Sequence, residues 1–139
     1  MNTNIEQLTR EIHDTFSNNQ LDKTLEFVSD NVKVSAYAFG LSFQGREGFA
    51  GFIQGLKTAF PDIVINHTNL ISSGNQVAVE LIAHGTHTGP LHTPNGIIPP
   101  SGRKVDFTVS EFMVWEHDKL VNLHNYQDAG SIMRQIQGE

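Results

Sequence analysis

Ile5, Leu8, Ile12 and Phe16 recur at helical spacing on one stripe, and Thr3 with Glu6 three residues later matches a capping box. The spacing predicts a helix over 4–18. Asn18-Asn19-Gln20 ends it, and Leu21, Leu25 and Val28 predict a short second helix closing near Asp30-Asn31. From Val32 the period becomes two. Val32, Val34, Ala36 and Ala38 alternate with Ser35, Tyr37 and Phe39, which predicts a strand to Phe43 bent near Gly40. Helical spacing returns over 46–60, with Phe49, Phe52, Ile53, Leu56 and Phe60 on a broad apolar face and Pro61 beyond the stop. Gly48, Gly51 and Gly55 share an adjacent stripe. Each glycine costs about 1 kcal/mol of helix propensity against alanine, so the stripe implies either close backbone packing or a helix that leaves room.

Beyond Ile63 the chain reads as strands. Ile63 to Ser72 and Gln76 to Thr88 flank a turn at Ser73-Gly74-Asn75, which predicts a hairpin. A Pro/Gly-rich stretch from Gly89 to Gly102 reads as a long loop, a candidate lid or a rigid contact. Arg103 to Trp115 and Leu120 to Gln127 form a second hairpin, and Asp128, either a site residue or the N-cap, leads into a last helix that packs through Ile132, Met133 and Ile136. This order is incompatible with a doubly wound βαβ fold. It predicts an α+β domain in which helices pack on a strongly curved antiparallel sheet, forming a cone with an internal pocket.

Composition narrows the chemistry. The 139 residues, 38% apolar and 9% aromatic, fit one domain over 1–139. Nine basic residues, of which only Arg103-Lys104 are adjacent, and a net charge of −6 argue against nucleic acid or an anionic membrane as partner. With no long apolar run and no leader-like start, a cytoplasmic protein is expected. The absence of cysteine excludes disulfides, thiolate metal sites and cysteine nucleophiles. No nucleophile elbow, phosphate loop or dinucleotide fingerprint is present, so the expectation is a small apolar organic ligand and no cofactor.

Polar residues on apolar parities are the informative positions. Val105, Phe107, Val109, Glu111, Met113 and Trp115 share one strand face, where Glu111 is the lone charge. It is either a general acid/base, a structurally paired group, or the rim of a dimer face; burial would push its carboxyl upward. His87 ends the odd face of the preceding strand, as a pocket-rim donor or a histidine satisfied by its loop. His84, His87 and His92 do not share a coordination sphere, because positions 84 and 87 point to opposite faces; no metal is expected. The last strand has no clean apolar face, so its central positions reach a polar site. Tyr37 and Tyr126 are candidate phenolic donors or half-buried surface aromatics.

Four strings complete the picture: Phe60-Pro61-Asp62, Gly85-Thr86-His87-Thr88-Gly89-Pro90, Pro99-Pro100-Ser101-Gly102-Arg103, and Tyr126-Gln127-Asp128 leading to Arg134-Gln135-Ile136. In this order they resemble the SnoaL-like polyketide cyclase family, of the nuclear transport factor two-like and ketosteroid isomerase-like superfamily. The resemblance spans nearly the whole chain. It implies a cone-shaped, cystatin-like α+β barrel and a homodimer joined through sheet faces. It also implies an acid/base Asp on the last strand with a His on the strand before. Here those positions hold Asn125 and Glu111. Asn hydrogen-bonds an enolate oxygen but takes no proton, so the family's cyclase mechanism does not carry over intact. The Asp-Arg-Asp relay of the superfamily's epoxide hydrolases also has no counterpart, since the late strands lack an inward Arg.

The expectation is therefore a cyclase- or isomerase-type enzyme that removes a proton alpha to a carbonyl without a cofactor. Glu111 is its base, and Asn125 with His87 or Tyr126 stabilises the enolate. Tyr37, Phe52, Leu56, Val109, Met113, Trp115 and Tyr126 are the expected substrate-binding side chains. The alternative is a non-catalytic ligand-binding or dimerisation domain in which Glu111 and Asn125 satisfy each other.

Overall fold

A computed structural model describes residues 3–139. Helix α1 (Thr3–Ser17) carries the predicted apolar stripe, with Ile12 and Phe16 buried. The Thr3 side chain of the expected capping box lies outside what is described; Glu6 accepts from the Ser72 hydroxyl. Helix α2 (Leu21–Glu26) stops earlier than predicted, because Val28 already starts strand β1 (Val28–Ala36) and is fully buried there. A single β-branched residue at helical distance from Leu25 fits both periods, and pairing of Val28 with Leu120 decides between them.

The expected bend near Gly40 is a 3-10 turn, Tyr37–Phe39, ending at Gly40 with φ of 67°, before the short strand β2 (Leu41–Gln44). Helix α3 (Gly45–Ala59) is followed by the strands β3 (Val64–Ser73) and β4 (Gln76–Thr86), the predicted hairpin. The Pro/Gly-rich stretch is not wholly loop. It folds into a small ribbon, β5 (Leu91–Thr93) paired with β6 (Gly96–Ile98), whose strands are too short to show a period in sequence. Strands β7 (Lys104–Glu116) and β8 (Lys119–Gln127) turn at His117 and Asp118, both with positive φ, as a two-residue hairpin of right-handed twist demands. Helix α4 (Ala129–Gln137) has Asp128 as its N-cap, accepting from the Ser131 amide at 3.0 Å.

The main sheet has the order β2-β1-β8-β7-β4-β3. Among the described residues only the β1–β8 pair of this sheet is parallel. Helices α1 and α3 cover its inner face, α1 against β3 and β4 and α3 against β1 and β2. The odd positions of β4 and β7 all point inward, as their alternation predicts. Strand β8 is different. Trp115 pairs with Leu120 but Val114 with Asn122, so Val121 is an inserted bulge residue. The bulge lets Leu120, Leu123 and Asn125 all face the core, which explains why neither parity of this strand reads as apolar.

Candidate active site

The register of β7 against β8 sets Glu111 directly opposite Asn125, and both side chains are buried. Asn125 Nδ2 donates to Glu111 Oε2 at 2.7 Å, and Gln127 Nε2 donates to Asn125 Oδ1 at 3.0 Å. The other oxygen, Oε1, lies 2.7 Å from His13 Nε2 on α1. The second His13 nitrogen, Nδ1, lies 2.7 Å from His67 Nε2 on β3. His67 pairs with inward-facing Leu81, which turns its ring toward the helix. The result is one line of polar groups, His67, His13, Glu111, Asn125 and Gln127, drawn from four elements.

Burial opposes a charge on Glu111, as the sequence suggests, but it does not win. The neighbouring His13 imidazole and the hydrogen bonds from His13 and Asn125 together hold the carboxyl below its ordinary value. The expected upward shift is thereby corrected. Glu111 is a carboxylate at neutral pH and accepts from both neighbours, so His13 presents a proton on Nε2. His67 is held below the ordinary imidazole value, first by burial and then by His13 beside it.

Two cavities flank this line. The inner one, about 70 Å³, is walled by apolar groups of α1, α3 and the sheet, with His13, Thr24, Glu111, Asn125 and Gln127 supplying polarity. The outer one, about 350 Å³, lies between α3, the β1–β2 bend and β5. Phe52, Leu56, Phe107, Asn125 and Gln127 border both. Gly51 and Gly55 line the outer cavity, and a Cβ added to either would meet nothing within 4 Å. Gly48, by contrast, backs onto Phe43 at 3.4 Å. Close packing thus accounts for one glycine of the stripe, and room for the other two.

Of the residues singled out in sequence, Glu111, Asn125, Phe52, Leu56, Val109 and Met113 meet at the inner cavity. Trp115 is buried beyond it, donating from Nε1 to Thr9 Oγ1 at 3.1 Å. Tyr37 and Tyr126 stack at 4.7 Å between ring centroids on the opposite, exposed face of the sheet. His87 lines neither cavity; its Nδ1 accepts from the Ser101 amide at 3.1 Å, and its Nε2 is buried without a partner. Burial holds the His87 imidazole below its ordinary value. His84 pairs with Asp106 at 2.6 Å on the surface, and among the described residues no three ligand-type groups could hold a metal ion.

Sequence reasoning passed over His13, His67 and Gln127. A signal existed for two of them. His13 sits inside the apolar stripe of α1, four residues after Thr9, and His67 shares its parity with Ile63 and Ile65.

The family model for SnoaL-like polyketide cyclases matches residues 6–136. No curated protein matches the chain in sequence. Among solved structures, a candidate SnoaL-like polyketide cyclase from Jannaschia sp. CCS1 superposes with a TM-score of 0.85 at 19% identity, covering 98% of this chain and 92% of that one. IdmH, a candidate polyketide cyclase from Streptomyces antibioticus, gives 0.79 at 19% identity, covering 95% and 97%. A protein of ketosteroid isomerase-like fold from Catenulispora acidiphila, solved with trimethylamine, gives 0.78 at 12% identity, covering 94% and 92%. The α+β cone is thus the ketosteroid isomerase-like fold. No helix among the described residues is long and apolar enough to cross a membrane.

Proposed function

This chain belongs to the SnoaL-like polyketide cyclase family, and from that premise we propose that it catalyses cofactor-independent proton transfer on a small apolar carbonyl compound held in the cone. Glu111 is the base. One observation carries the reading: a buried carboxylate, held below its ordinary value by its neighbours, lines a mostly apolar cavity that also touches Asn125. A filled interior would have favoured a purely structural Glu111–Asn125 pair.

In the proposed step a C–H bond alpha to the carbonyl breaks, its proton passes to the Glu111 carboxylate, and the electron pair moves to the carbonyl oxygen. Amide N–H groups of Asn125 and Gln127 stabilise that enolate oxygen. Return of the proton from Glu111 to carbon or to a new alkoxide closes the cycle without a cofactor. Asn at position 125 suits the donor role, and the base stands one strand away. The hydrogen bond to His13 keeps Glu111 ionised between turnovers.

Copies of the chain pair, in this reading, through the outer sheet face. Tyr37, Phe112 and Tyr126 leave an aromatic patch exposed there. β-Tetralone in D2O, followed by proton NMR, tests the chemistry. The protein should accelerate loss of the α-proton signal, and Glu111→Gln should slow it by about 10²–10⁴-fold. Exchange at the wild-type rate in that variant would refute Glu111 as base.

A further inference from the structure

Glu111 is buried and lines the inner cavity, so a proton it accepts from a ligand held there would leave past that ligand unless another path exists. A second path exists in the hydrogen bonds. Glu111 Oε1 to His13 Nε2 and His13 Nδ1 to His67 Nε2 are each 2.7 Å, both well inside hydrogen-bond range. His13 borders the inner cavity, whereas His67 borders neither cavity and is only half-buried. The remaining nitrogen of His67, Nδ1, bonds to no described residue and is not among the atoms sealed from solvent.

We propose that His67 and His13 form a proton wire joining Glu111 to solvent through the α1–β3 interface, so that the base recharges while the ligand still fills the cavity. The wire rests on the reading of Glu111 as the proton acceptor. Each imidazole takes a proton on one nitrogen and releases one from the other. Export starts from the tautomers in which both imidazoles carry their proton on Nδ1. A proton on Glu111 Oε1 moves to His13 Nε2 as the proton on His13 Nδ1 moves to His67 Nε2, and the proton on His67 Nδ1 leaves to water. This restores the resting state with His13 protonated on Nε2, so both rings exchange tautomer before the next export. Charge is conserved at every transfer, and Glu111 ends as the carboxylate with both histidines neutral. The reverse sequence delivers a proton inward. The charged and titratable groups facing His67 are His13, Asp14 and Arg10 from α1 and Glu111 from β7, while its partner on β4 is the apolar Leu81. Burial and the neighbouring His13 keep His67 neutral near pH 7, the state in which it can both accept and release. His67 is in these terms a positioning and relay residue.

The test uses the free protein, so it stands apart from the tetralone assay. The imidazole proton that His13 shares with Glu111 is followed by proton NMR, and its exchange with water is measured by saturation transfer. His67→Gln, which bonds but cannot relay, should slow that exchange by about tenfold or more. His67→Ala should slow it likewise, and added imidazole should restore it, a rescue that a merely structural role would not give. Exchange at the wild-type rate in both variants would overturn the wire and assign the route to the cavity mouth. Slow exchange in His67→Ala that imidazole leaves unchanged would overturn it equally. If the wire test succeeds and tetralone exchange fails, the fault lies with the ligand class and not with the path.

Discussion

Two histidines are buried almost equally in this molecule and do opposite things. His13 has both ring nitrogens engaged by titratable groups and looks into a cavity. His87 has one nitrogen on the Ser101 loop, the other on nothing, and faces Phe60 at 5.3 Å instead of a cavity. Burial of a polar side chain therefore does not mark a site. What separates the two is connection: His13 continues a chain of polar groups to an ionised carboxylate, while His87 closes a turn. His87 backbone atoms also clamp the loop, its amide donating to Arg103 O and its carbonyl accepting from the Gly102 amide.

The sharpest way to break this contrast is to replace each ring with phenylalanine. His13→Phe leaves the buried Glu111 carboxylate without its main partner and should cost about 3–5 kcal/mol, with loss of the tetralone exchange. His87→Phe removes the unpartnered N–H along with the Ser101 bonds, two opposing effects, and should change stability by less than about 1.5 kcal/mol and leave exchange intact. Urea denaturation of the two variants measures the difference; equal losses would show that His87 carries hidden energy. A smaller effect probes the support of the His87 turn. A Cβ on Gly89 would lie 1.8 Å from the Thr58 carbonyl oxygen, so Gly89→Ala must displace the strand-to-ribbon turn from α3. Loss of about 1–3 kcal/mol by thermal unfolding is expected, with exchange at Glu111 less affected than in His13→Phe.

The smallest effect is the pH dependence. His67 and His87 both have imidazole values lowered on folding, so the unfolded chain binds more protons as pH falls through 6.5. Stability is then fully present above 6.5 and declines below it. His67→Gln and His87→Gln should each flatten part of that decline in urea titrations from pH 7.5 to 5.5, a range set by the ordinary imidazole value. Glu111 adds a second decline: its folded value is also lowered, so its contribution holds above 4.5 and fades in more acid solution. A wild-type profile flat from neutrality to pH 5 would contradict the neutral assignment of both histidines.

Most of the architecture could be read from the chain. Alternation fixed the inward face of β7, and Glu111 is the charge that interrupts it. Helical spacing found α1, α3 and α4, and the resemblance to SnoaL-like cyclases matches the family model over residues 6–136. The misreadings have local causes. Val28 fits two periods, β5 and β6 are three residues each, and the Val121 bulge scrambles the parity of β8. The phenols of Tyr37 and Tyr126 lie on the exposed side instead of in the pocket, Tyr126 at an outward position of β8 and Tyr37 stacked on it from the 3-10 turn.

By itself the sequence determined which residues could be inside, because side-chain direction in strands and helices follows a fixed local period. It also marked Glu111 as the lone charge on an otherwise apolar strand parity. Tertiary structure alone decided what that carboxylate became. The sign of its shift depends on His13, 98 positions earlier, arriving within 2.7 Å, and on His67 arriving behind it. Electrostatic energy falls with distance in space and not along the chain, so no local pattern around Glu111 could carry that information.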